Sequence, residues 1–301
     1  MSEEIRRYYD QQVVQEAGIT GAGLVWFMGR DHLSPSYVNR DEIALNAGLW
    51  RLGASERCLN LFQAMGIRDN ELVLDVGSGI GGPGRDLQAA FNSQIVGINL
   101  SLNQLISLRQ LSRLANPDNP SYTSVINADV QALPLTPTSF DHAFSINVFY
   151  HIPNPDLAIA EISRVLKGDG RFGLDDWFLT DQASDRTIDT LRLKWSTSPQ
   201  GFHRFSQITN LMRQHGLRVT WTFDYTYEAA AFLTEERFGR VFDQQVRSRL
   251  IEVFPRLYQY PGYQPAHAVL AADQLREDIL YMGEVYRNGQ VVYRQLLVEK
   301  F

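Results

Sequence analysis

The sequence predicts an α/β protein whose doubly wound, mostly parallel sheet carries helices on both faces. Three observations predict it. Short apolar runs alternate with helical stretches through the middle of the chain, the rhythm of parallel strands joined by crossover helices. The segment ELVLDVGSGIGGPGRDL passes from a strand through a glycine loop into a helix. A last strand over 290–297 is separated from the preceding one by 227–289, too long for a hairpin loop and helical in pattern.

Composition narrows the class. The 301 residues exceed what a single core needs, so no disulfide or metal staple is required. The formal charge is −6, and the 28 basic residues include only three lysines, Lys167, Lys194 and Lys300, with the arginines dispersed. A chain without a basic patch is not expected to bind nucleic acid. The single cysteine, Cys58, fits a reducing compartment, and the charged start MSEEIRRYYD lacks the apolar core of a signal peptide. No uninterrupted apolar run approaches the length of a membrane span. A cytoplasmic protein is expected.

The strands are expected at 71–76, 94–98, 123–127, 141–146, 171–175, 217–226 and 290–297. Between the fourth and fifth, Asn154 is placed as a helix cap and Pro155 at the first helical position; Leu157, Ala160, Ile162, Val165 and Leu166 form the apolar stripe, and Gly168 and Gly170 end the helix. Ser206 is expected to cap a helix running to His215. The long insertion reads as helical over 234–254 and 266–286, and its joining piece holds Tyr258, Tyr260 and Tyr263 among prolines. Four divisions follow: an N-terminal helical cap (1–54), a cofactor-binding domain (55–226), a helical lid (227–289) and a returning strand (290–301). Tyr8, Tyr9, Trp26, Phe27, Tyr37 and Trp50 in the first division either pack on the sheet or cap a ligand.

In the loop, Gly77, Gly79 and Gly82 satisfy G-x-G-x-x-G, which lets backbone N–H groups approach a ligand at a helix N-terminus. The alternative is a tight turn with no ligand. A nicotinamide dinucleotide would want an acid at the end of the second strand, where this chain has Asn99. Asp75, at the end of the first strand, repels phosphates and suits a cationic ligand. S-adenosylmethionine meets both demands, with its carboxylate toward the helix N-terminus and two cationic centres.

The successive segments LDVGSGIGGPGRDL, GINLSLNQL, NADVQALPL, SFDHAFSINVFYHIPN and ISRVLKGDGRF resemble, in order and spacing, the motifs of class I S-adenosylmethionine-dependent methyltransferases. The G-I-G-G loop and the neutral Asn99 are similar to the small-molecule branch that includes sterol, tocopherol, terpenoid-diphosphate and natural-product methyltransferases. The resemblance implies a Rossmann-like sheet of seven strands. It also implies that Asp75, Gly77 and Gly79 hold the methionine end of the cofactor, Asn99, Leu100 and Gln104 the ribose, and Asp129 and Val130 the adenine; Asn147, after the fourth strand, where sterol and tocopherol relatives carry an acid, is a further cofactor-binding candidate. Asp129 has a second reading as a turn or cap residue.

Acceptor chemistry belongs at the ends of strands four and five. Tyr150, His151 and Asp176 are the candidate catalytic residues there. Tyr150 would hydrogen-bond, accept a proton or face a cation, with wall packing as the alternative; His151 has the ordinary pKa of a base but precedes Pro153 and is otherwise structural. Asp175 and Asp176 point to opposite sides of their strand, so only one faces the site. The acceptor is expected to be a specialised small metabolite, apolar or aromatic, methylated at carbon in preference to nitrogen or oxygen. No metal cluster is expected. A nicotinamide-dependent oxidoreductase and a non-catalytic cofactor-binding scaffold are the rivals, and a homodimer interface is the alternative use of the aromatic helices.

Overall fold

The computed structural model describes residues 54–79, 81–115, 122–195, 200–240, 242–248, 251 and 265–301. The expected N-terminal cap with its aromatics, and Tyr258, Tyr260 and Tyr263, lie outside the described residues.

Seven strands form one sheet: β1 (Leu72–Val76), β2 (Gln94–Asn99), β3 (Ser124–Asn127), β4 (Phe140–Ile146), β5 (Leu166–Leu179), β6 (Leu217–Asp224) and β7 (Val291–Lys300). Their order is β3-β2-β1-β4-β5-β7-β6. β1 to β5 pair in parallel, while β7 is antiparallel to both neighbours. The expected strand positions hold within a few residues, except that β5 starts earlier and ends later. Gly168 and Gly170 lie inside β5 rather than ending a helix, because the chain turns straight from helix to strand at Leu166.

Alternation along the strands divides the core. Leu61, Phe62, Met65, Val73, Leu87, Ile95 and Phe144 are buried on one face, under α1 (Ala54–Met65), α2 (Gly82–Phe91) and α3 (Leu102–Ala115). Leu74, Val76, Ile98, Phe172, Leu174 and Leu296 are buried on the other, under α4 (Pro155–Val165) and α6 (Phe205–Gln214). α5 (Asp185–Trp195) lies between β5 and α6 in sequence. Pro155 stands at the start of α4 after Asn154, as expected, though the Asn154 side chain makes no cap bond. The cap of α6 is Arg204, not Ser206; the Ser206 hydroxyl bonds Asp181 Oδ1 at 2.5 Å instead.

The insertion between β6 and β7 holds α7 (Thr226–Phe232), two π-helical turns (Glu235–Gly239 and Phe242–Val246) and α8 (Pro265–Arg287). Its apolar side is a third core, in which Leu233, Phe238, Phe242, Ile279 and Met282 pack with Leu179, Phe202 and Tyr293 of the sheet domain. α7 and α8 touch at Gly283, where a Cβ would lie 2.0 Å from the Leu233 carbonyl oxygen. Gly283→Ala should therefore separate the two helices and cost about 1–3 kcal/mol, read as a lowered thermal midpoint.

Candidate functional site

The C-terminal ends of β1, β2, β4 and β5 share one edge of the sheet. At this edge the chain leaves β1 through Gly77 and Ser78, whose N–H groups both donate to the Ile98 carbonyl at the end of β2. Gly77, Gly79 and Gly81 have φ of 76°, 52° and 82°, the left-handed region that favours glycine. Their surroundings differ. A Cβ on Gly77 would lie 2.5 Å from Val148, and one on Gly81 2.7 Å from Leu108. Among the described residues a Cβ on Gly79 meets nothing nearer than Gln104 Oε1 at 3.9 Å.

Asn99, at the end of β2, donates through Nδ2 to Gln104 Oε1 at 2.7 Å, and the Asn127 amide donates to the carbonyls of Asn99 and Leu100. The first-loop glycine Gly79, Asn99, Leu100 and Gln104 are thus neighbours, as the motif order implies. Asp129 caps the short turn Val130–Ala132, accepting from Gln131 N at 2.9 Å and from the Gln131 side chain. Its reading as a turn cap is therefore realised; Val130 is buried beside it.

Asp75 is buried on the α1–α3 side of the sheet, where it accepts from Tyr122 Oη at 2.5 Å and lies near Arg85. Burial pushes its pKa up to about 7, although the Tyr122 bond and Arg85 act in the opposite direction. Tyr122 carries no motif signal in the sequence. Its place is fixed by Gly84, where a Cβ would lie 2.0 Å from the phenol oxygen.

Strand alternation separates the two acids of β5. Asp176 lies on the α4 side, fully buried, and accepts from the backbone N–H groups of Val148, Phe149 and Trp177 at 2.9, 2.6 and 2.7 Å. Burial raises its pKa to about 8 despite these bonds. Asp176, expected beside the acceptor, pins through its oxygens the turn that follows β4. Asp175 is the acid on the α1 face, which it shares with Trp177, and it is held by Arg57 Nε at 2.8 Å, Gln295 Nε2 at 2.6 Å and the Tyr293 hydroxyl. Burial opposes the Arg57 charge, but Asp175, Tyr293 and Cys58 together outweigh it and the guanidinium is held charged. The Arg57 guanidinium carbon also lies 4.7 Å from the centre of the Tyr293 ring. Arg57, Tyr293 and Gln295 were not predicted as site residues. The one available signal was Gln295, a polar side chain amid the apolar run of the last strand.

Tyr150 stacks on Trp177 with ring centres 4.9 Å apart and lies 5.3 Å from Phe202, forming an aromatic wall at the ends of β4 and β5. His151 is buried against Tyr150, and burial lowers its pKa to about 3. A neutral imidazole this weakly basic is poorly suited to remove a proton near pH 7. The pH profile of turnover in His151→Gln should therefore match that of the parent between pH 6 and 8; a lost inflection there would restore the base role. Among the described residues no group of three potential metal ligands converges. Among them also no helix is long and apolar enough to cross a membrane.

The strand order, with β7 antiparallel between β5 and β6, and the glycine loop at the edge of β1 define a class I methyltransferase fold. Residues 74–174 match the model of the family described as "Methyltransferase domain". The chain is 29% identical to the cycloartenol-C-24-methyltransferase of Arabidopsis thaliana over 164 residues, covering 53% of this chain and 48% of that protein. It spans about half the length of that relative. A cyclopropane synthase of Mycobacterium tuberculosis superposes with a TM-score of 0.72 at 14% identity, over 99% of this chain and 98% of that one. The geranyl diphosphate C-methyltransferase of Streptomyces coelicolor gives 0.65 at 16% identity, over 100% and 98%. At these identities the structural likeness establishes the fold.

Proposed function

We propose that this chain is an S-adenosylmethionine-dependent methyltransferase that methylates carbon on an apolar small molecule. The observation that carries the cofactor assignment is Gly79. All three loop glycines have a positive φ, but side chains of the chain fill the space beside Gly77 and Gly81, whereas among the described residues Gly79 has open space where a Cβ would stand. Such room serves close approach of a ligand to backbone.

The residues present fit the cofactor. Gly77 and Gly79 would face its methionine end, Asn99, Leu100 and Gln104 its ribose, and Asp129 and Val130 its adenine; Asp75 would act from behind the loop through charge. When bound, S-adenosylmethionine supplies an electrophilic methyl group on a sulfonium. An acceptor carbon that took this methyl group would carry positive charge until it lost a proton to solvent. Tyr150 and Trp177, half-buried and backed by the buried Phe202, would offer aromatic surface to an apolar acceptor and to that positive charge. The matched relatives' sterol and terpenoid substrates support this acceptor class, while Asn99 in place of an acid weighs against a nicotinamide dinucleotide.

Calorimetry decides between the two cofactors: S-adenosylhomocysteine should bind and NADH should not, and the reverse would overturn the reading. Incubation with S-adenosylmethionine and a panel of isoprenoid alkenes, amines and phenols should yield C-methylated products; methylation confined to nitrogen or oxygen would overturn the choice of atom. The helical insertion over 227–289 and the N-terminal segment would close over the site together as a lid, and slowed hydrogen exchange in both on ligand addition would support it. Exchange slowed instead by rising protein concentration would assign these helices to a homodimer. A cytoplasmic site of action fits the buried free thiol of Cys58.

A further inference from the structure

We propose that the cleft between α5 and the start of α6 is a binding site for a small organic anion, whose phosphate or carboxylate group is held by Arg192 and Arg204. The site shares no residue with the glycine loop and stands without the proposed cofactor.

The cleft has a volume of about 300 Å³, at the lower end of the range for small-molecule sites. Leu179, Ile188 and Phe202 give it an apolar lining, and two arginines, Arg192 and Arg204, line it with no acid. Other arginines of the chain, among them Arg57, Arg164, Arg247 and Arg294, each hold a carboxylate. These two are fixed by backbone carbonyls instead. Arg192 donates through Nε to the Gly201 carbonyl at 2.9 Å; Arg204 donates to the Thr180 carbonyl at 2.6 Å and to that of Ala183 at 3.3 Å. A carbonyl orients a guanidinium without cancelling its charge, so both positive charges remain at the cleft. The terminal nitrogens of Arg192 have no partner among the described residues, which leaves free the N–H groups suited to grip a carboxylate or phosphate. Arg204 is also the cap of α6 and makes no side-chain cap bond. A cation at a helix N-terminus runs against the helix dipole, and a bound anion would relieve that conflict.

The cleft and the aromatic wall meet at Phe202, which lines the first and lies 5.3 Å from Tyr150 in the second. Its φ of 58° is one that bulky side chains rarely adopt. Two bonds hold it: its own N–H donates to the Tyr150 carbonyl at 3.0 Å, and Arg192 takes the carbonyl of the residue before it. The arginine that grips the anion thus also fixes the ring behind Tyr150 and Trp177.

The probe is inorganic phosphate, titrated at low salt into the whole chain without cofactor and followed by calorimetry and by imidazole NMR signals. Phosphate should bind and move the signal of His203, which lines the cleft and whose pKa is lowered by burial and by the Arg192 charge. Gln207 also lines the cleft, is exposed, and makes no side-chain bond among the described residues. Gln207→Glu adds a negative charge without touching either arginine and should weaken phosphate at least about tenfold, whereas Gln207→Lys should tighten it. The fold should persist, because an acid in the first turn of a helix is favourable. Arg192→Gln should match the loss in Gln207→Glu. Phosphate that competes with an acceptor would put the anion on the acceptor itself; phosphate that changes turnover without competing would put it on a separate metabolite, and either supports the site. Absence of phosphate binding would overturn the proposal. Equal binding in the parent, Gln207→Glu and Arg192→Gln would show an adventitious ion only and overturn it as well. Phosphate bound by a chain that transfers no methyl group would remove the methyltransferase reading and leave the site standing.

Discussion

Gly79→Val should abolish binding of S-adenosylhomocysteine, with affinity reduced by at least about 100-fold, roughly 2.7 kcal/mol. The branched side chain would occupy the open space above the loop that the proposed ligand needs. The fold should survive, since a Cβ there meets nothing closer than 3.9 Å among the described residues. The remaining cost is the positive φ of 52°, about 1–3 kcal/mol for a residue with a side chain. Calorimetry read beside thermal melting separates the two effects. Retained affinity in a folded variant would sink the ligand role of the loop.

Asp176→Ala should give the largest loss of stability, roughly 3–6 kcal/mol, because three buried backbone N–H groups would lose their acceptor at once. Denaturant melts would measure it, and a loss below about 1 kcal/mol would show that water replaces the carboxyl group. A pH signature accompanies the role. The folded carboxyl holds its proton up to about pH 8, against 3.8 when unperturbed, so the folded state binds more protons throughout that window. Stability therefore falls as pH rises from about 4 to about 8, and Asp75, raised to about 7, acts with the same sign. Asp176→Asn should flatten the upper part of that slope.

The parallel half of the sheet was legible because each strand there is a short apolar run and each crossover supplies its own helix signal. The glycine loop and Asn99 were legible for a related reason: they lie at fixed offsets from the strands they follow. Local chemistry competed elsewhere. Ser206 looked like a cap, but Asp181 claims its hydroxyl across a turn that sequence spacing does not reveal. Gly168 and Gly170 looked like a helix stop, yet the helix had already ended and they extend β5. The role of Asp175 was invisible for a deeper reason. Its partners Arg57, Tyr293 and Gln295 stand about 120 positions away on either side and meet it only once the sheet has closed. Alternation did predict that the two acids would part company. Which one met the donors depended on β7, and pattern alone does not place that strand.

The late entry of β7 has a consequence for how the protein is made. β7 pairs along both its edges, with β5 and with β6, although each of those precedes it in the chain. During synthesis the ribosome therefore releases β5 and β6 with open edges, separated by a gap that nothing yet fills. Unpaired edges on a half-built parallel sheet are templates for wrong partners. The same strand delivers Tyr293 and Gln295 to Asp175, so until it arrives the buried carboxylate lacks two of its three donors. The nascent chain thus completes its sheet and its polar centre in one event, and the interval before that event is when a chaperone has most to protect.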